Sequence, residues 1–152
     1  ATLGGGCFWC LEAFYQRVKG IDKVVSGYSG GHIENPTYEQ VSSGQGGHAE
    51  VVHLRYDSEA VTYEELLRVF WENHDPTTMN RQGPDMGSQY RSVIFYYDDE
   101  QKILAEKSKE ELGKSGKYTD PIVTEIIAAT QFYKAEEYHQ KYFEKTGQKV
   151  CH

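Results

Sequence analysis

Strand-type and helix-type runs alternate along the first hundred residues, and this order is the strongest constraint on the fold. The strand-type runs are β-branched, aromatic or alternating, whereas the helix-type runs repeat apolar residues every three to four positions. Four strands are predicted in this part of the chain. The first ends at the glycine triplet 4–6, and the other three cover 24–28, 50–56 and 91–97. Two helices are predicted between these strands. One begins at Cys7 and ends before Gly20, and the other runs from Thr62 to about His74.

The first six predicted elements follow the order β-α-β-β-α-β, which is typical of a split βαβ, ferredoxin-like core. Three more elements are predicted after them: a helix from Asp98 or Asp99 to about Gly113, a strand at 122–127 and a helix at 135–145. We therefore expect an α+β, two-layer sandwich with a ferredoxin-like core and an added helix-strand-helix. Residues 1–152 suffice for one domain with an apolar core. The start at Ala1 and the abrupt end at Cys151-His152 are typical of a domain cut from a longer chain.

Charge and cysteine content narrow the class of protein. The net charge is −7 and there is no block of Lys or Arg, so neither nucleic acid nor an anionic membrane surface is an expected partner. No apolar run approaches the roughly 20 residues that span a bilayer. Three cysteines do not make a disulfide framework, and two of them only three positions apart suit reduced or cycling thiols.

The stretch Gly-Gly-Gly-Cys7-Phe8-Trp9-Cys10 is the most informative chemical feature. It places Cys7 at the start of a helix, where free amide N–H groups and the helix dipole favour a thiolate of lowered pKa. Cys7 is therefore a candidate nucleophile, although a free cysteine is often only a small buried apolar residue. Phe8 and Trp9 are suited to an apolar wall for a ligand, and equally to core packing.

Glu50 lies on the more apolar face of its predicted strand, together with Val52 and Leu54. Burial there would raise its pKa and suit it to act as a general acid, but spacing alone favours a strand-end glutamate turned to water. Tyr38, Asp85 and Tyr90 lie in or beside two long loops, at 29–47 and 77–89, and their pattern alone does not distinguish them.

Three alternative classes of function remain open at this point. The Cys7–Cys10 pair is also found in thioredoxin-like dithiol oxidoreductases. Cys7, Cys10, Cys151 and His152 are the ligand types of a structural zinc site, although they lie at opposite ends of the chain. A cysteine hydrolase with a histidine base is a weaker alternative.

The chain closely resembles the A-type peptide-methionine sulfoxide reductases. The resemblance covers essentially the whole chain in the family's order, through the motifs GGGCFWC, GY-x-GG, NPTYE, GHAE, HDPTT, NRQG-x-D-x-G-x-QYRS and AEEYHQ-x-Y. It implies thiol-dependent reduction of the S epimer of methionine sulfoxide, free or in oxidised proteins, without a metal or bound organic cofactor. It also implies thioredoxin as the reductant and a role in protein repair. We expect a cytoplasmic monomer.

The resemblance also assigns a role to each matching residue. Cys7 matches the nucleophile, which becomes a sulfenic acid, and Glu50 matches the proton donor to the sulfoxide oxygen. The hydroxyls of Tyr38 and Tyr90 match those that hold that oxygen. The three remaining matches concern substrate binding: the aromatic pair that receives the methyl group falls on Phe8 and Trp9, and the residue that binds the substrate backbone falls on Asp85.

Two departures from the family pattern leave the resolving thiol open. Many members have glycine where this chain has Cys10, and many continue beyond the cysteine that matches Cys151. Cys10 is three residues from Cys7 and would close a short ring, whereas Cys151 matches the usual resolving position. We expect Cys10 to attack the sulfenic acid first and Cys151 to pass the disulfide to the surface.

Overall fold

The computed structural model describes residues 1–146, which form a mixed α/β structure around one main sheet. The eight strands are β1 Thr2–Gly4, β2 Ile21–Ser29, β3 Ala49–Tyr56, β4 Arg81–Gln82, β5 Asp85–Met86, β6 Val93–Tyr96, β7 Glu125–Ala128 and β8 Tyr133–Lys134. The five α-helices are α1 Phe8–Tyr15, α2 Tyr38–Ser42, α3 Tyr63–Glu72, α4 Asp99–Lys114 and α5 Tyr142–Thr146. Three 3₁₀ turns lie at Gln45–Gly47, Ser88–Tyr90 and Glu137–His139.

Six strands form the main sheet in the order β7-β6-β1-β3-β2-β8, and β4 and β5 form a separate hairpin. Every neighbouring pair of the main sheet is antiparallel except β6 and β7. Parallel neighbours need a long crossover, and α4 supplies it between β6 and β7. β1 and β3 therefore lie at the centre of the sheet, where their ends are fixed from both sides.

The two faces of the sheet are covered differently. Helices α1, α3 and α4 pack on one face, where Leu11 and Phe70 meet the strand residues Val52 and Ile94 in the larger apolar cluster. On the other face, a smaller cluster formed by Ala49, Val51, Val93 and Phe95 is covered by Ile127, Ala129 and Phe132. Val51 and Val52 belong to different clusters because successive strand residues point to opposite faces.

The helix starts predicted near Thr62 and at Asp98 or Asp99 are confirmed. The Thr62 side chain accepts a hydrogen bond from the Glu65 N–H at 3.2 Å and so caps α3. Asp98 caps α4 in the same way through the Gln101 N–H at 2.8 Å. The short helix α2 follows Pro36 in the first long loop, and Thr37 caps it. These local signals need only neighbouring residues, which is why the sequence reveals them.

The predicted helix at 135–145 is wrong. That stretch instead follows β8, contains the turn Glu137–His139 and becomes α-helical only at Tyr142. The Ala135 N–H donates to the Ser26 carbonyl of β2 at 2.9 Å, and Lys141 has a φ of 54°, which interrupts a right-handed helix. Pairing with β2, more than a hundred residues away along the chain, overrides the local helical pattern.

Two smaller differences concern the loop 77–89 and the edges of the strands. The loop contains the β4–β5 hairpin, which the sequence did not predict. The predicted strand at 122–127 lies at Glu125–Ala128, and the strand predicted at 24–28 runs from Ile21 to Ser29.

Among residues 1–146, no helix is long and apolar enough to cross a membrane.

Candidate active site

Cys7 lies at the junction between β1 and α1, at the centre of the sheet. It is the N-cap residue of α1, one position before the first helical turn in which it was predicted. The glycines before it allow close packing. A Cβ on Gly4 would lie 3.0 Å from the Glu50 carbonyl oxygen, and one on Gly5 would lie 2.9 Å from the His74 ring. Gly6 has a φ of 85° and donates its N–H to the Tyr90 carbonyl at 3.1 Å, which joins the nucleophile to the second loop.

The expected low pKa of Cys7 is wrong for the ligand-free protein. Burial, above all, raises the pKa of the thiol to about 12, and the negative charges of Glu50 and Asp85 act in the same direction. The backbone N–H groups of Trp9 and Cys10 oppose this change, but the Cys7 side chain makes no capping hydrogen bond. The helix start thus favours the thiolate, as predicted, and burial outweighs it.

Glu50 lies on the helix-facing side of β3 with Val52 and Leu54, and it is 1% exposed. Its Oε1 accepts a hydrogen bond from the Phe8 N–H at 3.2 Å. Its Oε2 is buried and has no hydrogen-bond partner among residues 1–146. Burial raises the pKa of the Glu50 carboxyl to about 8, so the group is largely protonated at neutral pH. The structure therefore supports the buried interpretation rather than the strand-end glutamate turned to water.

The two loops bring Tyr38, Asp85 and Tyr90 into the electrostatic range of the same centre. Burial raises the pKa of Tyr90, and the charges of Glu50, Tyr38, Asp85 and Cys7 add to the effect. Burial likewise raises the pKa of Tyr38, on which Glu50 and Cys7 also act. Both hydroxyls therefore stay protonated and remain hydrogen-bond donors.

The aromatic pair after Cys7 is divided between the core and the surface. Phe8 is fully buried, and its ring centroid lies 5.7 Å from Tyr28 and 5.2 Å from His139. Trp9 is only partly buried, and its indole N–H donates to His139 Nδ1 at 3.0 Å. The ring of Tyr142 stacks on the indole with a centroid distance of 3.7 Å and an angle of 8°. Trp9 thus has one face covered by the C-terminal part of the described chain.

Sequence reasoning missed the role of three residues in this region. Glu136 accepts hydrogen bonds from the Tyr28 hydroxyl and from the Tyr38 N–H, both at 3.0 Å. His139 packs against the Tyr38 ring at 4.4 Å, and Tyr142 covers Trp9 as described above. All three belong to the AEEYHQ-x-Y motif, which was a usable signal. The incorrect helix at 135–145 concealed it, because a regular helix includes neither the turn at Glu137–His139 nor the pairing of Ala135 with β2.

The three cysteines differ in state. Cys7 is a free thiol, whereas Cys10 is buried and disulfide-bonded, so the two are not linked to each other. The third cysteine, Cys151, lies outside the described residues, as does His152. The zinc alternative depends on both. Within residues 1–146, no group of three His, Cys, Asp or Glu side chains is arranged to hold a metal ion.

Comparison with known proteins gives one consistent result. A family model described as peptide methionine sulfoxide reductase matches residues 1–152. A peptide methionine sulfoxide reductase MsrA of Natronomonas pharaonis is 59% identical over 148 residues, which cover 97% of this chain and 83% of that protein. Its counterpart in Methanothermobacter thermautotrophicus is 55% identical over 152 residues, covering 100% of this chain and 90% of that one.

Two solved structures show the same fold. The reduced form of Mxr1 from Saccharomyces cerevisiae has a TM-score of 0.89 and 37% identity, covering 99% of this chain and 86% of that chain. Methionine sulfoxide reductase A of Corynebacterium diphtheriae has a TM-score of 0.87 and 34% identity, covering 99% and 76%. The similarity extends through every element that positions Cys7 and Glu50.

Proposed function

Because the chain belongs to the peptide methionine sulfoxide reductase family, we propose that it reduces the S epimer of methionine sulfoxide with Cys7 as the nucleophile. It is an oxidoreductase of this type, and repair of oxidised proteins is the corresponding role. The observation that carries the proposal is the Glu50 carboxyl, which is buried, lacks a partner for Oε2 among residues 1–146 and interacts electrostatically with Cys7. The family match favours this reaction over the thioredoxin-like and hydrolase alternatives.

The first step transfers one oxygen atom from the substrate sulfur to Cys7. The Cys7 thiolate attacks the sulfoxide sulfur and forms an S–S bond while Glu50 donates its proton to the sulfoxide oxygen. The protonated oxygen then moves from the substrate sulfur to the Cys7 sulfur, and the S–S bond breaks with its electron pair going to the departing methionine. Methionine and a Cys7 sulfenic acid are the products, so the substrate gains two electrons and Cys7 loses two. A protonated Glu50 also removes the negative charge that opposes the thiolate. Burial still raises the pKa of Cys7, so the thiol must lose its proton to solvent before it attacks.

The surrounding residues bind and orient the substrate. The hydroxyls of Tyr38 and Tyr90 stay protonated and donate hydrogen bonds to the sulfoxide oxygen, on which negative charge develops. Trp9, supported from behind by Phe8, receives the substrate methyl on the indole surface that Tyr142 leaves free. Asp85 binds the backbone of a methionine sulfoxide residue, since its hairpin lies beside Cys7 and Tyr90.

Recovery of the thiol requires two further cysteines and an external dithiol. Cys10 attacks the sulfenic acid, which releases water and forms a Cys7–Cys10 disulfide. Cys151 then attacks Cys10, which frees the Cys7 thiol and moves the disulfide outward. Thioredoxin reduces that second disulfide. A free Cys7 beside a disulfide-bonded Cys10 supports this order.

We also propose the core fold, the cellular location and the oligomeric state that the resemblance implies. A ferredoxin-like βαββαβ core is supported by the strand order β6-β1-β3-β2 within the sheet. The whole chain acts as one reductase domain, a cytoplasmic monomer that needs no cofactor. Its substrates are oxidised proteins and free methionine sulfoxide.

A turnover assay with each epimer of methionine sulfoxide and dithiothreitol tests the proposal. We expect the S epimer to be reduced and the R epimer to remain. Cys7→Ser should lose essentially all activity and form no sulfenic acid when a dimedone probe is present, while remaining folded. Substantial turnover by Cys7→Ser would contradict the assignment of the nucleophile.

A further inference from the structure

Gln140 has no role in the proposed reaction, yet its side chain makes three hydrogen bonds, all to backbone groups. It is 8% exposed. Its Oε1 accepts the Ser26 N–H at 3.0 Å, and its Nε2 donates to the Ser26 carbonyl at 2.9 Å and to the Ala135 carbonyl at 3.0 Å. One amide side chain thus pairs with both backbone groups of a β2 residue 114 positions away, as a neighbouring strand would.

The residues on either side of Gln140 contact the same indole. His139 accepts the Trp9 N–H, so its Nδ1 is unprotonated and its proton is on Nε2. Tyr142 stacks on the Trp9 ring. The backbone between them includes Lys141 with a φ of 54°, a left-handed conformation that a lysine adopts only when its surroundings impose it. The bonds of Gln140 are next to that residue and oppose its relaxation.

Ser26 links this anchor to the helix of the nucleophile. Its hydroxyl donates to Glu12 Oε2 at 3.3 Å, and both residues are fully or almost fully buried. Glu12 is on α1, five positions after Cys7. Ser26 therefore joins α1 on one side and Gln140 on the other. Glu12 also accepts hydrogen bonds from the Lys141 and Tyr142 backbone, so the Cys7 helix and the segment 139–142 are linked both through Ser26 and directly.

We propose that Gln140 is a positioning residue that sets the shape of the substrate-binding wall by holding His139 and Tyr142 against Trp9. This inference rests on the proposed function, because it takes Trp9 to receive the substrate methyl. Gln140 touches neither the substrate nor the reacting atoms. Loss of its bonds displaces the wall and leaves Cys7 and Glu50 in place. Substrate affinity should therefore fall, and the rate at saturation should change little.

Gln140→Met tests the proposal, because methionine has nearly the same volume and cannot make the three hydrogen bonds. Single-turnover formation of the Cys7 sulfenic acid, measured against substrate concentration, gives the half-saturating concentration and the maximal rate. We expect the half-saturating concentration to rise by about tenfold or more, which is the effect of losing roughly one to two net hydrogen bonds, and the maximal rate to stay within about threefold. Gln131→Met is the matched control, since Gln131 is exposed and its Nε2 donates only to its neighbour's carbonyl.

Trp9 emission supplies a second measurement. The protein has two tryptophans, so both variants are prepared in a Trp71→Phe background. We expect Gln140→Met to shift Trp9 emission toward that of a solvated indole, and Gln131→Met to leave it unchanged. Should Gln140→Met not fold, Gln140→Glu keeps the acceptor for the Ser26 N–H and removes both donated bonds. We expect Gln140→Glu to raise the half-saturating concentration and to shift Trp9 emission toward that of a solvated indole, as Gln140→Met does.

An unchanged half-saturating concentration in a folded variant would overturn the proposal, as would a tenfold loss of maximal rate without a loss of affinity. Failure of the proposed function itself is distinguishable. In that case wild-type Cys7 is not oxidised by methionine sulfoxide at any concentration, and Trp9 emission still reports whether Gln140 holds the wall.

Discussion

The Glu50 carboxyl reaches the first turn of α1, where its Oε1 accepts the Phe8 N–H at 3.2 Å. This bond stabilises the ionised carboxylate, yet burial has the larger effect and raises the pKa of Glu50 to about 8. The bond orients the carboxyl without keeping it ionised. The acidic proton is left to Oε2, which has no partner in the described part of the chain. Such a group is prepared to donate to an oxygen that arrives with the substrate.

We expect Glu50→Gln to slow Cys7 sulfenic acid formation by about 10²–10⁴-fold, the usual range for general acid catalysis. Glutamine keeps the shape and a hydrogen-bond donor but cannot release a proton. Single-turnover measurement of the sulfenic acid gives the rate directly. Glu59→Gln, an exposed substitution just after β3, is the control and should change nothing. A decrease smaller than about threefold would mean that water or the tyrosines supply the proton.

The same proton predicts a break in the pH profile. The attack needs the Cys7 thiolate, whose pKa is raised to about 12, and a protonated Glu50, whose pKa is raised to about 8, both by burial. The rate of sulfenic acid formation should therefore rise with pH up to about 8 in the wild type and level off above it, because each gain in thiolate is then offset by a loss of the acid. Glu50→Gln should lack this break, because glutamine does not titrate, and its rate should keep rising. A wild-type break that is unchanged in Glu50→Gln would assign the titration to another group.

The buried Glu50 carboxyl is also expected to destabilise the folded protein when it is ionised. The folded-state pKa, about 8, lies above the ordinary glutamate value of 4.5, so the folded protein holds this proton more tightly than the unfolded chain. The contribution of the protonated Glu50 carboxyl to the stability of the folded protein is fully present below pH 4.5 and is lost as the pH rises through 8. We expect Glu50→Gln to be more stable than the wild type by a few kcal/mol at pH 9 and by little at pH 5. Urea unfolding at both pH values measures the difference.

Much of this site is predictable from the sequence because it depends on local signals. The glycine triplet before Cys7 predicts a strand-to-helix turn, and the alternation of β3 places Glu50 on the apolar face. The pKa of Cys7 was predicted in the wrong direction because only the fold shows how deeply the thiol is buried. The contact of Tyr142 with Trp9 did not follow from the local helical pattern, since it joins the two ends of the described chain.

Tyr38 and Tyr90 are expected to share one task. Each offers a protonated hydroxyl near Glu50, so each single change to phenylalanine leaves one donor for the sulfoxide oxygen. We expect roughly a tenfold loss from either single variant and at least about a hundredfold loss from the double variant, in the range for hydrogen bonds to a charged group. Single-turnover rates measure these effects. Tyr97→Phe, on a partly exposed tyrosine of the opposite face, is the control. A double variant no slower than either single one would exclude the shared role.

The last prediction concerns the order in which the thiols resolve the sulfenic acid. The Cys10 N–H donates to the Cys7 carbonyl at 3.1 Å, so the two cysteines share the first turn of α1. The chain between them is already ordered, and ring closure requires little further loss of entropy. A pulse of methionine sulfoxide given to reduced Cys151→Ser should therefore yield a Cys7–Cys10 disulfide, identified by peptide mapping.

Cys10→Ser is the complementary variant. It should form the sulfenic acid at the wild-type rate, because Cys10 takes no part in the attack on the sulfoxide. Disulfide formation should then be slower, since only Cys151 can reach the oxidised Cys7. Quenching at intervals and counting free thiols separates the two steps. If a Cys7–Cys151 disulfide forms in Cys10→Ser as fast as the wild type forms its first disulfide, then Cys10 is a bystander and Cys151 alone resolves the sulfenic acid.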